Sequence, residues 1–75
     1  MVGGRVIEVM EMGLGVYRLW CIDGFDECAV YCRAQPEELP KCGDEIWWQS
    51  GKIYLDGDTR SLEKIGNSHD PRPAH

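Results

Sequence analysis

A chain of 75 residues, 43% hydrophobic and 28% charged, suffices for one small domain with a single core, and a domain of that size hides only about 60–65% of the surface its unfolded chain exposes. Eight lysines and arginines against 13 aspartates and glutamates give a net charge of −5. That balance counts against tight nonspecific binding to duplex nucleic acid, which rests on cations neutralising phosphates.

No apolar run approaches the roughly 20 residues needed to span a bilayer. Met1-Val2-Gly3-Gly4-Arg5 has no apolar leader segment, so the expected compartment is the cytoplasm, with no membrane partner.

In chain order, Arg5 to Met10 reads as a first strand, with Val6, Ile7 and Val9 supplying β-branched residues before Gly13 and Gly15 break the pattern. Val16 to Ile22 and Glu27 to Arg33 form a hairpin across Asp23-Gly24-Phe25-Asp26, since Asp-Gly between two apolar runs is a strong hairpin signal. Ala34 to Cys42, with Pro36 and Pro40 around Glu37-Glu38-Leu39, reads as a connector holding at most one helical turn.

Gly43-Asp44 then opens a strand from Glu45 to Gln49, and Ser50-Gly51 turns it into Lys52 to Leu55. Beyond Asp56-Gly57-Asp58 the pattern weakens. Leu62 and Ile65 are expected to close the barrel, placing the domain at 1–66, and 67–75, with Pro71 and Pro73, reads as a flexible tail. Five short strands with glycine-rich turns predict an all-β fold: a small five-stranded barrel of the oligonucleotide/oligosaccharide-binding (OB) type, or alternatively an SH3-like barrel.

Alternation then sorts the side chains, because neighbours on a strand point to opposite faces. With an even number of loop residues in the first hairpin, Tyr17, Leu19, Cys21, Cys28, Val30 and Cys32 share one side, and Ile46, Trp48, Ile53 and Leu55 complete that core. The other side carries Arg18, Trp20, Tyr31, Arg33, Trp47, Lys52 and Tyr54. Rings among cations suit stacking on nucleobases and equally suit a protein hot spot, while rings on a small twisted sheet also simply cover one another.

Gly4-Arg5-Val6-Ile7-Glu8-Val9, Val16-Tyr17-Arg18-Leu19, Asp23-Gly24 with Glu27 and Ala29, and Gly43-Asp44-Glu45-Ile46 follow one another in an order that resembles the ribosomal S1 and translation initiation factor one branch of the OB fold. The resemblance covers Gly4 to Leu55 and implies that the second and third strands form the ligand surface, where Arg18, Trp20, Tyr31 and Arg33 stand. The Trp-Trp hairpin from Glu45 to Leu55 also resembles segments of small uncharacterised phage and prophage proteins.

The four cysteines, Cys21, Cys28, Cys32 and Cys42, contain no C-x-x-C pair. Cys28 and Cys32 lie about 13 Å apart along a strand at roughly 3.3 Å per residue, too far to grip one metal ion. Cys21 and Cys28 would face each other if Gly24-Phe25 is a two-residue loop, and buried thiols behaving as small hydrophobes are the expectation. His69 and His75 fall in the expected tail, Asp56, Asp58 and Asp70 read as turn residues, and no glycine pattern matches a phosphate-cradling loop.

The sequence therefore predicts a non-enzymatic binding module with no cofactor and no metal. Its expected ligand is single-stranded DNA or RNA, held through Arg18, Trp20, Tyr31, Arg33, Trp47, Lys52 and Tyr54. The alternative is a protein-interaction module, either a homodimer or a binder of a phage or host partner.

Overall fold

Two tight turns set the phase of the fold. Asp23 pairs with Asp26 across a two-residue loop, Gly24-Phe25, and Gly24 takes φ 65°, the positive value required at the first central position of a II′ hairpin. Gln49 pairs with Lys52 across Ser50-Gly51, both at positive φ. Neither hairpin slips by a residue, so the inward and outward sets of its two strands stay aligned.

The computed structural model describes residues 2–57 and 60–68. It is an all-β, closed antiparallel barrel of six strands: β1 (Val2–Gly13), β2 (Val16–Asp23), β3 (Asp26–Arg33), β4 (Glu45–Gln49), β5 (Lys52–Leu55) and β6 (Ser61–Ser68). Their order is β1-β2-β3-β6-β5-β4, closed by the pairing of β4 with β1. Strands β4-β1-β2-β3 make a Greek key, in which the connector after β3, with a 3-10 turn at Pro36–Glu38, carries the chain back to the far side of β1. Among the described residues no helix is long and apolar enough to cross a membrane.

The core follows the alternation. Tyr17, Leu19, Cys21, Cys28, Val30, Cys32, Ile46, Trp48, Ile53 and Leu55 are all buried, joined by Val6 and Leu62. Each large aliphatic among them contributes about 1.5–3 kcal/mol by leaving water. Only one of the two consecutive indoles can face inward, and it is Trp48.

Closure depends on β1, which serves two neighbours. Arg5 to Gly13 pair with β2, and Val2 to Arg5 pair with β4. Where the strand changes partners it passes so close to them that side chains do not fit: a Cβ on Gly3 would lie 2.7 Å from Ile46 O, and one on Gly4 2.8 Å from Ile22 O. Glycine is required there for backbone approach.

The barrel has six strands rather than the five expected. Ser61–Ser68 has few β-formers, and it is a strand because the outer edges of β3 and β5 both need hydrogen-bond partners, a demand that a local pattern does not register. Of the two residues expected to close the barrel, Leu62 is buried and Ile65 is half-exposed. The two lie three residues apart, so alternation puts them on opposite faces; Ile65 is also the extra residue of a bulge, since Cys32 pairs with Lys64 and Tyr31 with Gly66. Pairing continues through Asn67 and Ser68, opposite Val30 and Ala29. The rest of the expected tail, 69–75, lies outside the described residues.

Candidate functional site

All seven outward residues stand on the outer surface, but closure divides them. Arg18, Trp20, Tyr31 and Arg33 lie on the β2–β3 wall, and Trp47, Lys52 and Tyr54 lie on the β4–β5 wall. In the ring of strands β1 separates the two walls on one side and β6 on the other, so the seven do not form one face. Among the described residues the only bridge by register is Glu63 on β6, which pairs with both Arg33 and Lys52.

On the β2–β3 wall, Arg18 sits opposite Tyr31 and Trp20 opposite Ala29. The indole is held at both its edge and its face. Trp20 Nε1–H donates to Glu27 Oε1 at 2.8 Å, and the Arg18 guanidinium lies 5.3 Å from the ring centroid in a cation–π contact. Arg18 Nη2 is also 3.8 Å from Glu8 Oε1 and 3.4 Å from Met10 Sδ. Its Nε–H is buried and meets no acceptor among the described residues, an arrangement that costs about 1–3 kcal/mol and leaves the guanidinium imperfectly satisfied. Arg33 donates to Leu14 O at 3.4 Å and pairs with Glu63 at 3.8 Å.

These pairings neutralise the wall. Arg18 is matched by Glu8 and Arg33 by Glu63, while Glu27 adds a further carboxylate beside the indole. Such exposed ion pairs are each worth only about 0–1 kcal/mol, yet they cancel the local positive field that a phosphate backbone would seek. An open hollow of about 330 Å³ lies between Ile7, Glu8, Trp20 and Glu27.

Exposed apolar side chains continue from it along β1: Ile7 at the hollow, then Met10 and Met12, and Leu14 at φ 57° in the β1–β2 loop. Phe25 stands fully exposed on the β2–β3 turn.

On the opposite wall the Trp47 and Tyr54 rings are cross-strand neighbours, stacked with centroids 6.0 Å apart and planes 19° from parallel. Gly3 and Ser61 flank the pair along its row, so small residues leave the outer edges of both rings uncovered.

Parity also assigns Glu27 to the outward face, since it shares a side with Ala29 and Tyr31, so its presence beside Trp20 was accessible from sequence. Ile7 faces outward by alternation, next to the buried Val6; what alternation alone does not reveal is the β1 bulge between Val6 and Glu8, which puts Glu8 on the same outer side.

Cys21 and Cys28 are directly opposed on β2 and β3, as a two-residue loop requires, and both are free thiols. Burial, with the facing Cys28 adding to it, pushes the Cys21 thiol up to about 12, and burial pushes Cys32 up to about 11. Burial also raises Cys28, helped by Asp23 and Asp26. Thiols held protonated are poor nucleophiles and poor metal ligands. Among the described residues no three histidine, cysteine or carboxylate side chains gather as a metal site would require. His69, His75, Asp58 and Asp70 lie outside the described residues.

The fold and site define a closed antiparallel β-barrel with a mixed aromatic, apolar and ion-paired wall. Comparison with protein-family models, with curated proteins and with solved structures finds no match in any of the three.

Proposed function

We propose that the barrel is a non-enzymatic binding module of the OB type that docks a protein partner on the wall formed by β1, β2 and β3. The observation that carries this reading is the pairing of charge with exposed apolar surface. Arg18 and Arg33 are already matched by Glu8 and Glu63, whereas Ile7 stands in water at the hollow it shares with Trp20, and Met10, Met12 and Leu14 are exposed farther along β1 and its loop. Methionine and aromatic side chains with few free charges are the composition of protein interfaces. The Greek-key order, with β1 paired on both edges, supports the OB relation implied by the sequence motifs.

Single-stranded nucleic acid is the second reading. It is favoured by the Arg18–Trp20 contact and the stacked Trp47–Tyr54 pair, since both present ring faces of the kind on which bases stack. Because the two walls are separate, a strand of nucleic acid would have to wrap the barrel to use all seven residues.

Two measurements test the proposal. Affinity capture with the parent and with Met10→Lys/Met12→Lys, followed by titration of the purified captured protein, is expected to show a partner that binds the parent and not the variant. Tryptophan fluorescence is then titrated with oligothymidylate and oligouridylate at low and moderate salt, and a flat response is expected. Saturable quenching that falls steeply with salt and disappears in Trp20→Ala would overturn the protein reading in favour of nucleic acid.

A further inference from the structure

The longest strand of the barrel is paired along only part of one edge. β2 covers one edge of β1 from Arg5 to Gly13, whereas β4 covers the other from Val2 to Arg5 alone. The connector takes over for one residue, with Val6 N–H donating to Asp44 O at 2.9 Å and Gly43 N–H donating to Val6 O at 2.6 Å. Ile7 O then accepts from Cys42 Sγ at 3.5 Å. From Glu8 to Gly13 that edge has no backbone partner among the described residues. Two bulges, between Val6 and Glu8 and between Glu11 and Gly13, bracket a regular run that is exposed at Glu8, Met10 and Glu11. Unpaired N–H and C=O groups in such a run are a template for an added strand.

We propose that the free edge of β1 from Glu8 to Gly13 takes up an extended, cationic segment of a partner protein as an added strand, with one lysine or arginine seated in the hollow between Ile7, Glu8, Trp20 and Glu27. This rests on the reading of the β1–β2–β3 wall as a protein-docking surface.

Charge selects the occupant. Between Val6 and Leu14 the edge carries Glu8 and Glu11 and no basic residue, and Glu27 faces the same hollow. A second copy paired edge to edge would add its own Glu8 and Glu11 to an edge that already carries both, and like charges close together across a strand pair are destabilising. A strand with a cation on its outward face meets Glu8 there, the face on which Glu8 pairs with Trp20.

The hollow is suited to the end of such a side chain. Glu27 holds the indole by its N–H and leaves a second carboxylate oxygen, and Arg18 demonstrates within the chain that this ring accepts a cation.

The test uses the full chain labelled with nitrogen-15 and a capped heptapeptide of alternating lysine and valine, beside the same peptide with glutamate for lysine and an oligothymidylate. The lysine peptide is expected to shift the amides of Glu8 to Gly13 and the Trp20 indole N–H in a saturable way, and to slow their hydrogen exchange. Glu8→Gln/Glu27→Gln, which keeps an acceptor for Trp20 and should retain the parent melting temperature, is expected to weaken that binding about ten-fold.

Equal shifts from both peptides would overturn the cationic assignment and leave the docking wall standing. No shift at millimolar peptide, with partner capture still dependent on Met10 and Met12, would overturn strand addition alone. Shifts of Trp20 by the oligonucleotide only would overturn both.

Discussion

Replacing Gly4 by alanine tests how the barrel closes. A methyl group on Gly4 meets Ile22 O at 2.8 Å, Ile22 C at 3.2 Å and Cys21 Cβ at 3.4 Å. The nearest of these are backbone atoms of β2 in a hydrogen-bonded sheet, so relief requires β1 and β2 to move apart where β1 changes partners.

Overpacking of this kind costs about 1–3 kcal/mol. Alanine returns about 0.4–1 kcal/mol by restricting the unfolded chain. The net loss is about 1–2 kcal/mol, which for a domain of this size lowers Tm by roughly 5–15 °C. Gly66→Ala is the control, since a Cβ there meets nothing within 4 Å, and its stability should equal or slightly exceed that of the parent. Thermal and urea unfolding followed by circular dichroism measure both. If Gly4→Ala and Gly66→Ala unfold together, the close passage of β1 past β2 is not what limits position 4.

Trp48→Ala empties a core site and should cost about 3–5 kcal/mol, whereas Trp47→Ala loses a half-exposed stacking partner of Tyr54 and should cost about 1 kcal/mol by urea titration. Arg18→Met removes the guanidinium whose Nε lacks an acceptor while keeping cover over Trp20, so its stability should stay within about 1 kcal/mol of the parent or rise. A larger loss would mean that the Glu8 pair is stronger than its 3.8 Å separation implies.

In the native protein a disulfide reagent at pH 8 should label the exposed Cys42 quickly and the buried Cys21, Cys28 and Cys32 only on unfolding. Because burial raises Cys21 to about 12 and Cys32 to about 11 from 9.0, the folded chain keeps protons above pH 9 that the unfolded chain has lost. Stability is therefore full below pH 9 and falls as pH rises toward 11, by up to about 1.4 kcal/mol per pH unit for each thiol. Cys21→Ala should flatten that slope, and an unchanged slope would assign it to other groups.

What the sequence determined by itself is the phase of each strand. Period-2 alternation, kept in step by the two-residue turns Gly24-Phe25 and Ser50-Gly51, separates Leu19, Val30, Ile46, Trp48 and Ile53 inside from Arg18, Trp20, Tyr31, Trp47 and Tyr54 outside. That information is local, since a side chain's face follows from its neighbours along the strand.

The relation between strands is not local. That Ser61–Ser68 is a strand at all follows from edges left by β3 and β5, far away in the chain. Only closure in the order β1-β2-β3-β6-β5-β4 decided that one outward set becomes two walls. The Ile7 bulge, the free edge of β1 and the carboxylates that neutralise Arg18 and Arg33 likewise arise from which strands meet and in what register. Alternation gives each side chain its face, and pairing over long sequence separations gives each face its neighbours.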